Sequence, residues 1–327
     1  AAASKEMRVR VESSKKRLTT VRPRRVGSLR TARPVSACSL HRFPVLFLQY
    51  PPMSNTSPLK DSPLGHDVVY PTQYDPSVLF GIERSLNRQA LQVPEQWHGA
   101  DIWNGYEISW LNPKGKPVVA LARFVIPWNS PRIIESKSFK LYLNSFNDEV
   151  VEDMASLVQR MEHDLSAVAG AAVNVTLIPL GALNGQPISQ LEGHCIDELD
   201  ISIQDYTPQS GLLKCLPNAP IVTESLVSDL LKSNCPVTGQ PDWGSVQVRY
   251  TGPQIDPASL LRYIVSLRRH TEFHEHCVER LYSDILQSCQ PERLLVYARY
   301  TRRGGLDINP WRSSHADSVD EPRLARQ

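Results

Sequence analysis

The chain has 327 residues, 41% of them apolar and 21% charged, with a formal net charge of +2; this is ample for one large domain or two ordinary ones and excludes wholesale disorder, collagen and a disulfide-stapled miniprotein. Its longest aliphatic runs, such as Val118 to Ala122 before Arg123, fall far short of the ~20 residues of a membrane span, so a soluble, cytoplasmic protein is expected. The six cysteines, at 38, 195, 215, 235, 277 and 289, form no CxxC pair and are expected to be free thiols in a reducing compartment.

The small net charge hides an asymmetry. Residues 1–52 hold three Lys and nine Arg against Glu6 and Glu12, a local charge of +10 that leaves −8 for the remainder. The globular part therefore has no basic excess of the kind that nucleic acid attracts. A transit peptide or a nucleic-acid arm would also be basic. The internal Met53 after Pro51-Pro52 favours reading residues 1–52 as an extension that is disordered or not native, and they are set aside for the fold. Residues 53–97, rich in Pro and Asn, form a loop-rich lead-in with one short helix at most.

Periodicity then becomes clear. Ile102 to Leu111 and Pro117 to Ile126 are β-rich runs joined by "NPKG", a hairpin signal. Phe139, Tyr142, Leu143 and Phe146 fall on one face of a short helix whose first turn holds Ser136, Lys137 and Ser138. Asp148 is expected to cap a second helix carrying Val150, Val151, Met154, Leu157, Val158, Met161 and Leu165. Strands are expected at Val173 to Leu180 and around Asp200 to Asp205. In the second half, Ser245 to Tyr250 alternates as a half-buried strand. Asp256-Pro257 opens a helix with Leu260, Leu261, Ile264, Val265 and Leu267. Phe273, Cys277, Leu281 and Ile285 mark another helix up to Ser288, and Leu294 to Tyr300 reads as a strand ending at Arg302-Arg303-Gly304-Gly305. The halves share an approximate strand, strand, helix, helix, strand, strand order, and the fold class expected is α+β built by internal duplication.

No GxGxxG, GxxxxGK[ST], HExxH or paired CxxC occurs. In "LKSNCPVTGQPDWGS", Cys235 stands among turn-forming residues with Asp242 seven positions on. A buried structural cysteine seldom has such neighbours, so a reactive thiol is favoured over a small core residue. Asp242 is as readily a turn cap as an acid. His274 and Glu275 open a helix and present two groups about 100° apart, either to a cleft or to core and solvent. A zinc site of Cys235, His274 and Cys277 lacks close spacing and a fourth ligand, so no metal is expected. Glu135, Ser136 and Lys137 lie at a helix N-terminus, and Arg302 and Arg303 lie beside two glycines. Either place suits a phosphate, or is an ordinary cap or turn.

Taken together, the motifs "ESKSFKLYLNSF", "LKSNCPVTGQPDWGS", "EFHEHCVER" and "YARYTRRGGLDINPWR", with Ile82 to Arg88, closely resemble the long, duplicated type of NADPH-dependent 7-cyano-7-deazaguanine reductases of queuosine biosynthesis. The resemblance covers residues 64–327. It implies two tandem tunnelling-fold ββααββ units, 98–210 and 211–327, with antiparallel sheets and helices on one face. It implies a homodimer with no direct contact to nucleic acid or membrane, and reduction of a nitrile to an amine with two NADPH. Cys235 is then the nucleophile that forms a thioimidate, Asp242 the acid-base and His274 the group that closes on the imine. Ile134, Glu135, Ser136, His274 and Glu275 fall at the substrate, and Ser136, Lys137, Arg303 and Gly304 at NADPH. The alternatives are a zinc-dependent, cyclohydrolase-like enzyme of the same fold and a non-catalytic binding module.

Overall fold

Alternating apolar positions organise the chain into a broad sheet, and helices cover one face of it. The computed structural model describes residues 70–91, 93–94 and 96–327; the readings made for 1–52, for Cys38 and for the lead-in before Tyr70 lie outside the described residues. Strand β1 (Gly81–Glu83) and the one-turn helix α1 (Ser85–Arg88) come first, so the lead-in holds a strand as well as a helix. The hairpin β2 (His98–Leu111) and β3 (Pro117–Pro127) follows, and β4 (Arg132–Ile134) pairs back antiparallel with β1. Then come α2 (Ser136–Asn144), α3 (Met154–Ala169), β5 (Asn174–Ile178) and β6 (His194–Cys195). The second half runs β7 (Ile221–Asn234), β8 (Pro241–Pro253), α4 (Pro257–Ser266), α5 (His274–Cys289), β9 (Arg293–Tyr300) and β10 (Leu306–Ser313).

Eight strands form one continuous sheet in the order β5-β3-β2-β10-β9-β8-β7-β6, antiparallel except for β6 beside β7. The seam between the halves is β10 against β2, in register from Leu306 with Gly105 to Ser313 with His98. The α+β expectation holds at this level.

Two local expectations are corrected. Asp148 does not cap α3; Asp153 does, accepting from Ser156 N at 2.8 Å. The chain between them satisfies its backbone elsewhere, because Leu111 donates to Glu149 O and Val151 donates back to Leu111 O, each at 2.9 Å. Residues 200–205 form no strand: Asp205 closes a turn instead, its carboxylate accepting from Thr207 N at 2.9 Å and from the Gln209 side chain at 2.6 Å. The closing strand of the expected order is Leu306–Ser313, and every one of its residues is buried.

Two cores lie under the helices. On the first half α2 and α3 pack on β2, β3 and β5, with the Phe139 ring edge-on to Trp103 and Phe124 at 5.1 and 4.9 Å. Truncating such a buried ring costs about 3–5 kcal/mol. On the second half α4 and α5 cover β7, β8 and β9 with Leu260, Ile264, Leu281 and Ile285. The cap on α4 is the expected one, Asp256 accepting from Ala258 N at 3.0 Å.

Candidate active site

The turn between β7 and β8 fixes Cys235. Its amide donates to Gln240 O at 2.9 Å, and its carbonyl accepts from Gly239 N at 3.0 Å. Gly239 sits at φ 65°, a left-handed conformation that glycine takes without strain. The hairpin register places Asp242 opposite Ser233, so a seven-residue separation in sequence becomes one end of a ladder. The same hairpin positions α5. Asn234 donates to His270 O from its amide (2.8 Å) and its side chain (3.2 Å), and Glu272 N donates to Asn234 O at 3.1 Å. Helix α5 begins two residues later, which brings His274 and Glu275 to the thiol.

Cys235, Asp242, His274, Glu275, Ile134, Ser136 and Arg303 line one cleft, with Trp103, Phe273 and Ile308 as apolar walls. Asp242 lies 3.0 Å from Arg303 Nη2 and 3.7 Å from His274 Nε2. Burial pushes the Asp242 carboxyl up to about 6, against the pull of Arg303, Lys140 and Lys232. Burial, then Arg303 and Lys140, lowers His274 to about 3, so its imidazole is neutral at neutral pH. The ring stands edge-on to Tyr300 at 4.1 Å.

Glu275 is 2% exposed. Its carboxyl makes no side-chain hydrogen bond among the described residues, and burial followed by the charge of Asp101 raises it to about 8. Behind it runs a buried ion network. Arg84 pairs with Asp101, Arg312 holds both Asp101 and Glu279 at 2.8 Å, and Arg88 reaches Glu279 at 2.7 Å. These guanidiniums tie α1, β2 and β10 to α5. Each carboxylate keeps an arginine partner if one guanidinium is lost, whereas removal of Glu279 leaves buried positive charge uncompensated.

The first half contributes the start of α2. Glu135 is its N-cap, with one carboxylate oxygen accepting from Lys137 N and the other from Ser138 N, both at 2.7 Å. Lys137 does not line the cleft. Lys140 does, beside Ser136, Arg302, Arg303 and Asp307. Burial, then Arg303, lowers its ammonium, while Glu135, Cys235 and Asp242 oppose that shift. Ser136 and Lys140 are four apart and share a helix face, a signal the sequence did carry. Gly304 lines an adjoining cavity of about 620 Å³ together with Lys140, Tyr106 and Asn144. Trp103 and Asp307 were not expected at the site; both stand on the β2–β10 seam.

Comparison with known proteins adds the chemistry. Residues 70–177 match the family described as nitrile reductase, 7-cyano-7-deazaguanine-reductase N-term, and residues 241–318 match the QueF-like protein family. The NADPH-dependent 7-cyano-7-deazaguanine reductase of Bordetella pertussis is 54% identical over 272 residues, 82% of this chain and 99% of that protein. Its namesake from Chromobacterium violaceum is 55% identical over 270 residues, 81% of this chain and 96% of that protein. The solved apo structure of an archaeosine synthase QueF-Like protein is 16% identical, with a TM-score of 0.26, over 32% of this chain and 99% of that one. The two family matches and the two bacterial relatives, spanning both halves of the cleft, define an oxidoreductase of the nitrile reductase class. The chain belongs to the 7-cyano-7-deazaguanine reductase family.

Proposed function

We propose that this chain reduces the nitrile of 7-cyano-7-deazaguanine to the aminomethyl group through a covalent cysteine thioimidate, as a step in tRNA queuosine biosynthesis. The observation that carries the reading is the convergence of Cys235, Asp242, His274 and Glu275 on one largely buried cleft. A neutral nitrile is a poor hydride acceptor. The thiolate of Cys235 adds to its carbon, and the C≡N bond gives up one electron pair to nitrogen. Asp242, ionised above about 6, takes the thiol proton and returns it to that nitrogen, so a neutral thioimidate forms. Cys235 leaves as thiolate after the first reduction. The neutral His274, edge-on to Tyr300, closes the cleft over the resulting imine and limits its hydrolysis.

A deazaguanine offers a ring N–H and an amino group on one edge. The Glu275 carboxyl is the acceptor available to both, and Ile134 and Ser136 form the wall beside them, with Glu135 between them fixing the start of α2 on the substrate side.

NADPH, when bound, supplies one hydride to each of the two reductions. The residues present fit such a ligand. Lys140 and Arg303 are cations at the cleft, and Gly304, at φ 59°, leaves room where a Cβ would stand 3.2 Å from the Lys140 ammonium. Ser136, Arg303 and Gly304 would hold its phosphates with Lys140, while Lys137 completes the positive start of α2. The hairpin-led repeat β2-β3-α2-α3 and β7-β8-α4-α5 supports two tandem tunnelling-fold units, 98–210 and 211–327.

The test is intact-mass analysis after mixing the protein with the nitrile base alone. One adduct per chain is expected, mapping to Cys235, and Cys235→Ala is expected to form none and to oxidise no NADPH. An active preparation that never gains mass would overturn the mechanism.

A further inference from the structure

The cleft contains one polar group that the chemistry above does not use. Trp103, on β2, is 1% exposed and lines the same space as Cys235 and Glu275. Its indole nitrogen has no hydrogen-bond partner among the described residues. An indole N–H is a donor only, and buried donors in native proteins are nearly always paired. The neighbours cannot accept: the Phe139 ring stands edge-on at 5.1 Å, and Ile308 is the partner across the β2–β10 ladder. These contacts also hold the ring in one orientation, so ordering it costs little on binding.

We propose that Trp103 determines substrate specificity by donating its indole N–H to the ring carbonyl of the bound deazaguanine. This rests on the function proposed above. In that base the carbonyl lies on the same side of the fused rings as the nitrile, and the donor edge lies away from it. Glu275 accepts from the donor edge; the two N–H groups placed against it favour its ionised form over the protonated one that burial sustains in the free chain, and an ionised carboxylate has no proton to give the carbonyl. Trp103 supplies the missing donor in the space that also holds the attacking thiol. A base with an amino group in place of the carbonyl would set N–H against N–H and be rejected, since leaving buried polar groups unpaired is the stronger form of discrimination.

The test compares binding of the nitrile base with that of its thiocarbonyl analogue, which keeps the ring N–H and amino group but is the weaker acceptor. Titrations in the Cys235→Ala chain separate recognition from adduct formation. A preference for the carbonyl base of about tenfold is expected there, the worth of one hydrogen bond. Adding Trp103→Phe is expected to reduce it to within about twofold. A folded Trp103→Phe chain that keeps the full preference would overturn the proposal. A second readout needs no substitution at this position: in the wild-type chain the assigned Trp103 indole N–H resonance is expected to shift when the base is added, and a resonance that stays in place while the base binds would equally overturn it. Failure of the underlying function looks different, because then neither compound binds.

Discussion

Two buried glutamates at two helix starts show how the halves of the molecule divide the work. Glu135 begins α2 and spends both carboxylate oxygens on the backbone amides of Lys137 and Ser138. Glu275 lies in the first turn of α5, whose N-cap, Phe273, makes no side-chain capping bond; its carboxyl is held by its own amide alone and faces the cleft. The same residue type, equally buried, is structural in one half and ligand-facing in the other. More broadly, the second half supplies the thiol, the acid, the histidine and Arg303, and the first half supplies Lys140, Ser136 and the apolar residues Trp103 and Ile134. What a buried carboxylate does is therefore decided by whether the nearby helix N–H groups claim it.

The largest test of this division falls on the second half. Asp242→Asn is expected to lower kcat for base-dependent NADPH oxidation by about 10²-fold or more with little change in the KM of the base. In the wild-type chain, adduct formation is expected to slow as pH falls through about 6, where the carboxylate takes up its own proton; the Asn chain should lack that limb. An Asn chain with wild-type kcat would break the assignment. Next, Glu275→Gln is expected to raise the KM of the base about 30-fold, the worth of a charged hydrogen bond. The folded chain holds the Glu275 proton up to about 8, against an ordinary value of 4.5. That contribution to stability is complete below about 4.5 and is lost as pH rises through about 8. A melting temperature measured across this window should fall less in the Gln chain than in the wild type. Lys140→Ala should raise the KM of NADPH about tenfold through loss of one charge-assisted contact, and equal effects from Lys137→Ala would erase the distinction between the two lysines. The smallest effect is expected at Glu135→Gln, about 1 kcal/mol of capping, seen as a melting temperature lower by roughly 2–4 °C. A larger KM effect there than at Glu275 would reverse the comparison.

What the sequence discloses is what depends on near neighbours. The β2–β3 hairpin, the Asp256 cap and the stripe on α5 each arise within one turn or one hairpin, and all three stand in the structure. Cys235 and Asp242 are legible for the same reason, since a tight turn brings them together. Strand β10 is not, because both of its faces are buried and no alternation marks it. Its polar residues look like turn residues until their distant partners are known: Asp307 accepts from Asn104 at 2.8 Å, and Arg312 pairs with Asp101 and Glu279. Trp103 belongs to the same seam, so neither its burial nor its place beside the thiol follows from local spacing. Strand β7 mixes Glu224, Ser228 and Asp229 with its apolar positions, which blurs the period-two signal.

The seam has a kinetic consequence. Asn104 and Asp307, hydrogen-bonded across β2 and β10, are 203 positions apart, and contacts of such high sequence separation form late because loop closure must be offset first. During synthesis the inner edge of β2 therefore waits, unpaired, until Leu306–Ser313 has emerged. A nascent chain halted before Leu306 lacks the floor beneath the nucleophile, so the cleft is complete only once that strand has joined β2.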